Sequence, residues 1–136
     1  MSEQKHLRIC SSNEEIRECI KNNRLFTIHS LITELDISDN EFGDAGAKLF
    51  GKSLKHNSTL ITLDLSENKI GAEGAKSIGD ALKLNSTLTT LNLGLNKLGD
   101  EGAKSLADAF KYNSTLTTLN LELNKIGDEG SKSLCN

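Results

Sequence analysis

Apolar residues along this chain keep two rhythms in alternation. In Leu60-x-x-Leu63-x-Leu65-x-x-Asn68 the central apolar positions stand two apart, the spacing of a strand with one buried face. Ile70, Gly71 and Gly74 then mark a turn, and Ala75, Ile78 and Leu82 follow at spacings of three and four, which is a helical stripe. The stretch predicts a strand, a turn and a helix.

This stretch, Asn57–Leu84, starts again at Asn85 and at Asn113, so the period is 28 residues. His29–His56 falls in the same register through Leu35, Ile37, Asn40, Gly43, Gly46, Ala47 and Leu54. Self-similarity at this period marks a solenoid, in which each unit buries its apolar face against its neighbours. Strands separated by a helix run parallel, with the helix as a right-handed crossover. Strands pair at about 4.8 Å while helices pack at about 8–10 Å, so the stack bends with the strands inside. The predicted fold is an α/β solenoid, a right-handed curved horseshoe with a concave parallel β-sheet and convex α-helices.

The consensus LxxLxLxxNxIGxxGAxxLxxAL resembles the leucine-rich repeat in its longer helical variant, the type of ribonuclease inhibitor. The resemblance covers His29–Asn136, with seven or more positions matching in each of four units. It implies the horseshoe and a habit of binding proteins. The same variant occurs in the sensor tails of nucleotide-binding immune receptors, in tropomodulin-like actin regulators and in the activating protein of the Ran GTPase, and fold alone does not choose among such roles. Residues 29–136 thus read as four repeats, the last truncated before the equivalents of Ala109 and Phe110.

Residues 1–28 read as a degenerate first coil that caps the stack. Leu7 and Ile9 stand one period before Leu35 and Ile37, but Ser12 replaces the expected Asn and the Gly-x-x-Gly-Ala signature is missing. Ser12-Asn13-Glu14-Glu15 has the form of a capping box, predicting a short helix through Ile16, Cys19 and Ile20. Arg24–Ile28 reads as extended. All three arginines, Arg8, Arg17 and Arg24, lie in this cap, and the repeats carry only lysine.

A hydrophobic fraction of 36% is low for a globular chain and fits coils that each bury only a thin strip. A net charge of −3 argues against general nucleic-acid affinity, and no apolar run approaches a signal or membrane-spanning segment. Three scattered cysteines point to a reducing compartment, so a cytoplasmic location is expected, with an effector delivered into a host cytoplasm as the alternative.

Most repeated polar positions have structural readings. Asn40, Asn68, Asn96 and Asn124, just past each strand, suit an amide that satisfies backbone groups of adjoining coils. Gly46, Gly74, Gly102 and Gly130 suit a helix lying close to its strand. Asp100-Glu101 and Asp128-Glu129 suit the first turn of their own helices. Asn-Ser-Thr at 57, 85 and 113 has the form of a glycosylation acceptor, but reads as a helix stop in which Asn takes the left-handed conformation. His29 and His56 stack without a third ligand in their column, and Cys10 and Cys19 lack metal spacing and an activating base, so no catalytic, cofactor or metal site is expected.

Function is therefore sought where the repeat leaves positions free. Glu34, Asp36 and Ser38, then Thr62, Asp64 and Ser66, Thr90, Asn92 and Gly94, and Thr118, Asn120 and Glu122 point to the concave face. The next column runs Asp39, Glu67, Leu95, Leu123. This face is acidic toward its N-terminal half and apolar toward its C-terminal half. Asp36 beside Asp64 sets like charges across neighbouring strands. With Arg8 in the same column placed to neutralise Asp36, Asp64 is expected to be a free acid. The set predicts a non-enzymatic module that binds a protein partner carrying basic groups and an apolar anchor. The alternatives are a regulator of an enzyme or of the cytoskeleton, or a fragment of a larger leucine-rich sensor. The C-terminal coil has an open strand edge and apolar flanks, Leu119, Leu121, Ile126 and Leu134, through which two copies are expected to associate.

Overall fold

The computed structural model describes residues 5–8, 18 and 32–135, with residues 5–8 defined in their backbone. The expected capping box, the helix through Ile16 and Ile20, and the extended Arg24–Ile28 lie outside the described residues, apart from Glu18, which is helical.

Strands and helices alternate as the two rhythms require. They run β1 (Lys5–Arg8), β2 (Ile32–Asp36), α1 (Gly43–His56), β3 (Thr62–Asp64), α2 (Ala72–Leu82), β4 (Thr90–Asn92), α3 (Gly99–Phe110), β5 (Thr118–Asn120) and α4 (Asp128–Cys135). The strands form one parallel sheet in the order β1-β2-β3-β4-β5. Each strand pairs one period on, Leu7 with Leu35, Leu35 with Leu63, Leu63 with Leu91 and Leu91 with Leu119. Helices pack on helices in the same succession, α1 on α2, α2 on α3 and α3 on α4. We number the coils 1 to 4 by their helices.

Between the layers lie the residues that set the two rhythms. Leu60, Leu63, Leu65, Ile70, Ile78 and Leu82 of coil 2 are all 0% exposed, and Leu88, Leu91, Leu93 and Leu106 repeat this in coil 3. Full burial of a leucine or isoleucine contributes about 1.5–3 kcal/mol. The ten such side chains of coils 2 and 3 hold strand to helix.

The glycines serve a contact between coils as well as the expected one within their own coil. A Cβ built on Gly74 would come within 2.7 Å of Asp44 Oδ1 and 2.9 Å of the Ala47 Cβ, both on the preceding helix. One on Gly102 would meet the Ala75 Cβ at 3.2 Å, and one on Gly130 would meet Asp100 Oδ1 at 2.7 Å. These glycines let successive helices approach each other. They also leave room for the apolar residue that leads from strand to helix in their own coil, since a Cβ would lie 2.7 Å from Ile70 Cγ2 at Gly74, 2.9 Å from the Leu98 Cβ at Gly102 and 2.8 Å from Ile126 Cγ2 at Gly130.

Two ladders of amides run along the stack. In the expected one, Asn68 Oδ1 accepts from the Asn40 N–H at 2.9 Å, while its Nδ2 donates to the carbonyls of Ile37, Leu65 and Ser66. Asn96 Oδ1 does the same for the Asn68 and Ile70 N–H groups. A second ladder lies at the other edge. Asn85 Nδ2 donates to Leu54 O at 2.9 Å and Asn57 O at 3.1 Å, and Asn113 Nδ2 to Leu82 O at 2.7 Å and Asn85 O at 3.0 Å. Asn57 is extended at φ −78° and ψ 133°, so the left-handed helix stop expected there is replaced. In its place the side-chain oxygen turns back onto the N–H groups two and three residues on, as at Thr59 and Leu60.

Candidate protein-binding face

Side chains between the buried positions of a strand leave the sheet on the side away from the helices, and strand pairing brings them into columns. The register aligns Glu34, Thr62, Thr90 and Thr118 in one column and Asp36, Asp64, Asn92 and Asn120 in the next. Thr118 is exposed and the rest of these eight are partly exposed. Arg8 aligns with Asp36 in the backbone register, as the period requires.

The acidic column is more committed than its sequence suggests. Asp64 Oδ1 accepts from the Ser66 N–H at 2.9 Å and the Ser66 hydroxyl at 2.6 Å, and its Oδ2 accepts from Asn92 Nδ2 at 3.2 Å. Asp64 is therefore not the free acid expected. Asp36 holds Ser38 in the same way, at 3.0 and 2.7 Å. Asn92 and Asn120 turn the same corner with the N–H groups of Gly94 and Glu122. The column closes each strand with a side-chain turn, and an amide serves as well as a carboxylate. The column runs Asp36, Asp64, Asn92, Asn120, so Asp64 has a like charge on one side and, on the other, Asn92, which donates to it.

Beyond the corner the chain enters an unusual conformation. Asp39, Glu67, Leu95 and Leu123 stand at φ 56°, 55°, 56° and 56°, in the left-handed region. Their N–H groups face along the stack, so that Asp39 donates to Ser66 O, Glu67 to Gly94 O and Leu95 to Glu122 O. Their side chains are all exposed, Leu95 at 49% and Leu123 at 74%. For an L-residue with a large side chain this backbone costs about 1 kcal/mol, and Gly, Asn or Asp is the usual occupant. Leucine there gains little burial in return.

Neighbouring positions extend the picture. Lys69 pairs with Glu41 of the preceding coil at 2.8 Å beside the Asp39–Glu67 end. Glu122, exposed, takes the place that Ser38, Ser66 and Gly94 hold in earlier coils. Ile61 at 37% exposure was missed by sequence reasoning, although the signal is present: the same position is Thr33, Thr89 and Thr117 in the other coils. The candidate face thus has an acidic, hydrogen-bonded end and an exposed apolar end, running across the strands from β2 to β5. Among the described residues no group of three or more His, Cys, Asp or Glu side chains could hold a metal ion. Nor is any described helix long and apolar enough to cross a membrane.

The Leucine Rich repeat family model matches residues 29–51, 56–79, 84–107 and 112–135, one match to each coil and more than half of the chain. The chain belongs to the leucine-rich repeat family. Two solved structures share its fold. One, titled Leiomodin-1 Actin-Binding Site 2, superposes with a TM-score of 0.74 at 24% identity, covering 93% of this chain and 72% of that one. The other, a tropomodulin C-terminal domain of Caenorhabditis elegans, gives a TM-score of 0.78 at 14% identity, covering 98% of this chain and 81% of that one. No curated protein sequence matches this leucine-rich repeat chain.

Proposed function

We propose that this leucine-rich repeat chain is a protein-interaction module with no catalysis of its own, which takes a partner along the open face of its sheet. Glu34, Asp36, Asp39, Thr62, Asp64, Glu67, Thr90, Asn92, Leu95, Thr118, Asn120, Glu122 and Leu123 form that surface. The observation that carries the reading is the pair Leu95 and Leu123. Both are apolar and exposed, and both hold a backbone conformation that disfavours leucine, at positions where coils 1 and 2 carry Asp39 and Glu67. Folding does not ask for leucine there, whereas an apolar anchor on a partner does. The exposed Asp39 and Glu67 at the other end favour a partner with basic groups next to that anchor.

The test replaces exposed residues only. A variant combining Glu67→Lys, Leu95→Asn and Leu123→Asn is compared with wild type as immobilised bait, with quantitative mass spectrometry of what each retains. A second variant carries Lys48→Glu, Lys76→Glu and Lys104→Glu on the helix side. The reading expects the captured partner to be lost with the first variant and kept with the second. The reverse pattern would refute it.

A second reading makes actin the partner. It is favoured by the superposition, across most of this chain, on a domain titled as an actin-binding site of leiomodin. It also suits the cytoplasmic location expected from the scattered cysteines. Co-sedimentation with filamentous actin and binding to monomeric actin test it directly, and binding that the first variant leaves unchanged would place actin elsewhere than on this face.

A further inference from the structure

The outer layer of helices carries a charge pattern that coil 1 breaks. In coils 2 and 3 the helix side presents lysine, aspartate and lysine at spacings of four and three, Lys76, Asp80 and Lys83, then Lys104, Asp108 and Lys111. Each aspartate pairs with the lysine that follows it, Asp80 with Lys83 at 3.4 Å and Asp108 with Lys111 at 3.3 Å. Such a stripe neutralises most of its own charge. In coil 1 the same three places are Lys48, Lys52 and Lys55, and Ala45 stands where the later coils carry Glu73, Glu101 and Glu129. Lys48 and Lys52 are exposed and Lys55 is partly so, and none of the three has a hydrogen bond or ion pair among the described residues.

These lysines wall a groove between α1 and α2, whose other residues are Gly51, Ser77 and Asp80. Its floor is backbone against backbone. A Cβ on Gly51 would fall 2.9 Å from the Ser77 carbonyl oxygen, so the two helices meet there with no side chain between them. The one carboxylate in the groove, that of Asp80, already has Lys83 as its partner, and three positive charges are left without an anion. The α2 stripe of Ser77 and Asp80 continues at helical spacing to Leu84, just past the helix end. Leu84 is 68% exposed although His56 and Tyr112 stand at its place in the coils on either side, so its exposure is a property of the stack's interior. Tyr112 is exposed beside it, with Lys83 Nζ 5.8 Å from its ring centroid. Coil 1 manages with His56, so the repeat does not ask for an apolar residue there.

We propose that the groove between α1 and α2 is a second docking site, and that its occupant is an acidic segment of another protein whose apolar side chain covers Leu84. From Lys48 to Lys55 the helix rises about 10 Å, the reach of about three residues of extended chain, so two carboxylates of one segment meet the lysine wall together. An apolar residue beyond them falls at the Leu84 end, where burial adds affinity that charge alone does not supply. A broad anionic surface such as a bilayer would also press on the exposed Glu73 and Glu101, which one segment lying in the groove avoids. The groove is on the helix side of the molecule and the candidate sheet face on the other, and neither reading rests on the other.

The probe is a library of random dodecamer peptides displayed on phage, selected on the immobilised whole chain; enriched peptides are labelled with fluorescein and titrated by fluorescence anisotropy. Two variants carry residues that the repeat itself uses at these places, Lys52→Asp as in coils 2 and 3, and Leu84→His as in coil 1. Both are expected to melt as wild type does, because the new carboxylate stands three residues before Lys55 as Asp80 does before Lys83. Enriched peptides are expected to join two or more acidic residues to a large apolar one. Their affinity should fall about tenfold or more with Lys52→Asp and several-fold with Leu84→His, and should not fall with the sheet-face variant Glu67→Lys, Leu95→Asn, Leu123→Asn. Enrichment of peptides without acidic residues would overturn the proposal, as would an affinity that Lys52→Asp leaves within about twofold or that the sheet-face variant abolishes. Vesicles containing phosphatidylserine form the other arm. Sedimentation of the chain with them that Lys52→Asp abolishes, in place of peptide binding, would assign the groove to a lipid surface and overturn the proposal.

Discussion

Replacing Asn96 with alanine should damage this protein as much as emptying its core, although no large side chain is lost. Asn96 is 4% exposed. Its Oδ1 is the acceptor for the Asn68 and Ile70 N–H groups, both at 3.0 Å, and its Nδ2 donates to the carbonyls of Leu65, Leu93 and Gly94. After the substitution every one of those carbonyls keeps a second donor: Asn68 Nδ2 for Leu65, Asn124 Nδ2 for Leu93 and the Glu67 N–H for Gly94. The two N–H groups keep none. Each buried unpaired donor costs about 1–3 kcal/mol, so the pair costs about 2–6 kcal/mol. Asn124→Ala orphans one comparable N–H, that of Leu98, whose bond is 3.3 Å long, and should cost about half as much. Urea titrations of both variants and wild type, followed by circular dichroism at 222 nm (a helix band), give the comparison. Asn96→Asp serves as a control, because it keeps the acceptor but turns a charge toward three carbonyls, and it should be no milder than alanine. A loss below about 1 kcal/mol for Asn96→Ala, or no larger than for Asn124→Ala, would refute the assignment of its cost to orphaned N–H groups.

Other substitutions probe the remaining contacts. Leu93→Ala, at a fully buried position of coil 3, should cost about 2–5 kcal/mol in the same titration. Gly74→Ala should destabilise by about 1–3 kcal/mol despite the better helix propensity of alanine, because the new methyl meets Asp44 and Ala47 at 2.7 and 2.9 Å. Asp100→Ala removes the cap on Gly127 and Gly130 and should cost about 0.5–2 kcal/mol, with hydrogen exchange accelerated in α4 and unchanged in α1. Leu123→Asn should raise stability by up to about 1 kcal/mol by relieving the left-handed backbone, while weakening partner capture.

The architecture is readable in the sequence because one period repeats with two internal rhythms, and Leu63, Ile78 and Asn68 each keep the place that their spacing assigns. What escapes sequence reasoning are contacts between coils that no local rule describes. Asp100 reads as the first-turn acid of its own helix, yet its bonds go to Gly127 and Gly130, 27 and 30 residues on. Asn85 reads as a helix stop, but its Nδ2 reaches back to Leu54 O, 31 residues away. On the candidate face, the exposure of Leu95 and Leu123 follows from the column in which they sit. Their left-handed backbone does not follow, because nothing in Asp39, Glu67, Leu95 and Leu123 as residue types favours it in common. Asp64 is legible in part, since the Asp-x-Ser spacing at 64–66 and 36–38 is that of a side-chain turn.

The amide ladders also have a direction, and it sets an order of assembly during synthesis. Asn68 N–H and Ile70 N–H wait for Asn96, and Leu54 O waits for Asn85. Every bond of this kind is completed by a residue that leaves the ribosome later than its partner. A coil emerging first closes its own side-chain turns but leaves these groups open until its successor follows, 26 to 31 residues on. At about 5–20 residues per second that delay is a few seconds for each coil. Through that interval the newest coil is held open while those behind it are sealed, so the growing chain carries a single unfinished unit that moves with the point of synthesis.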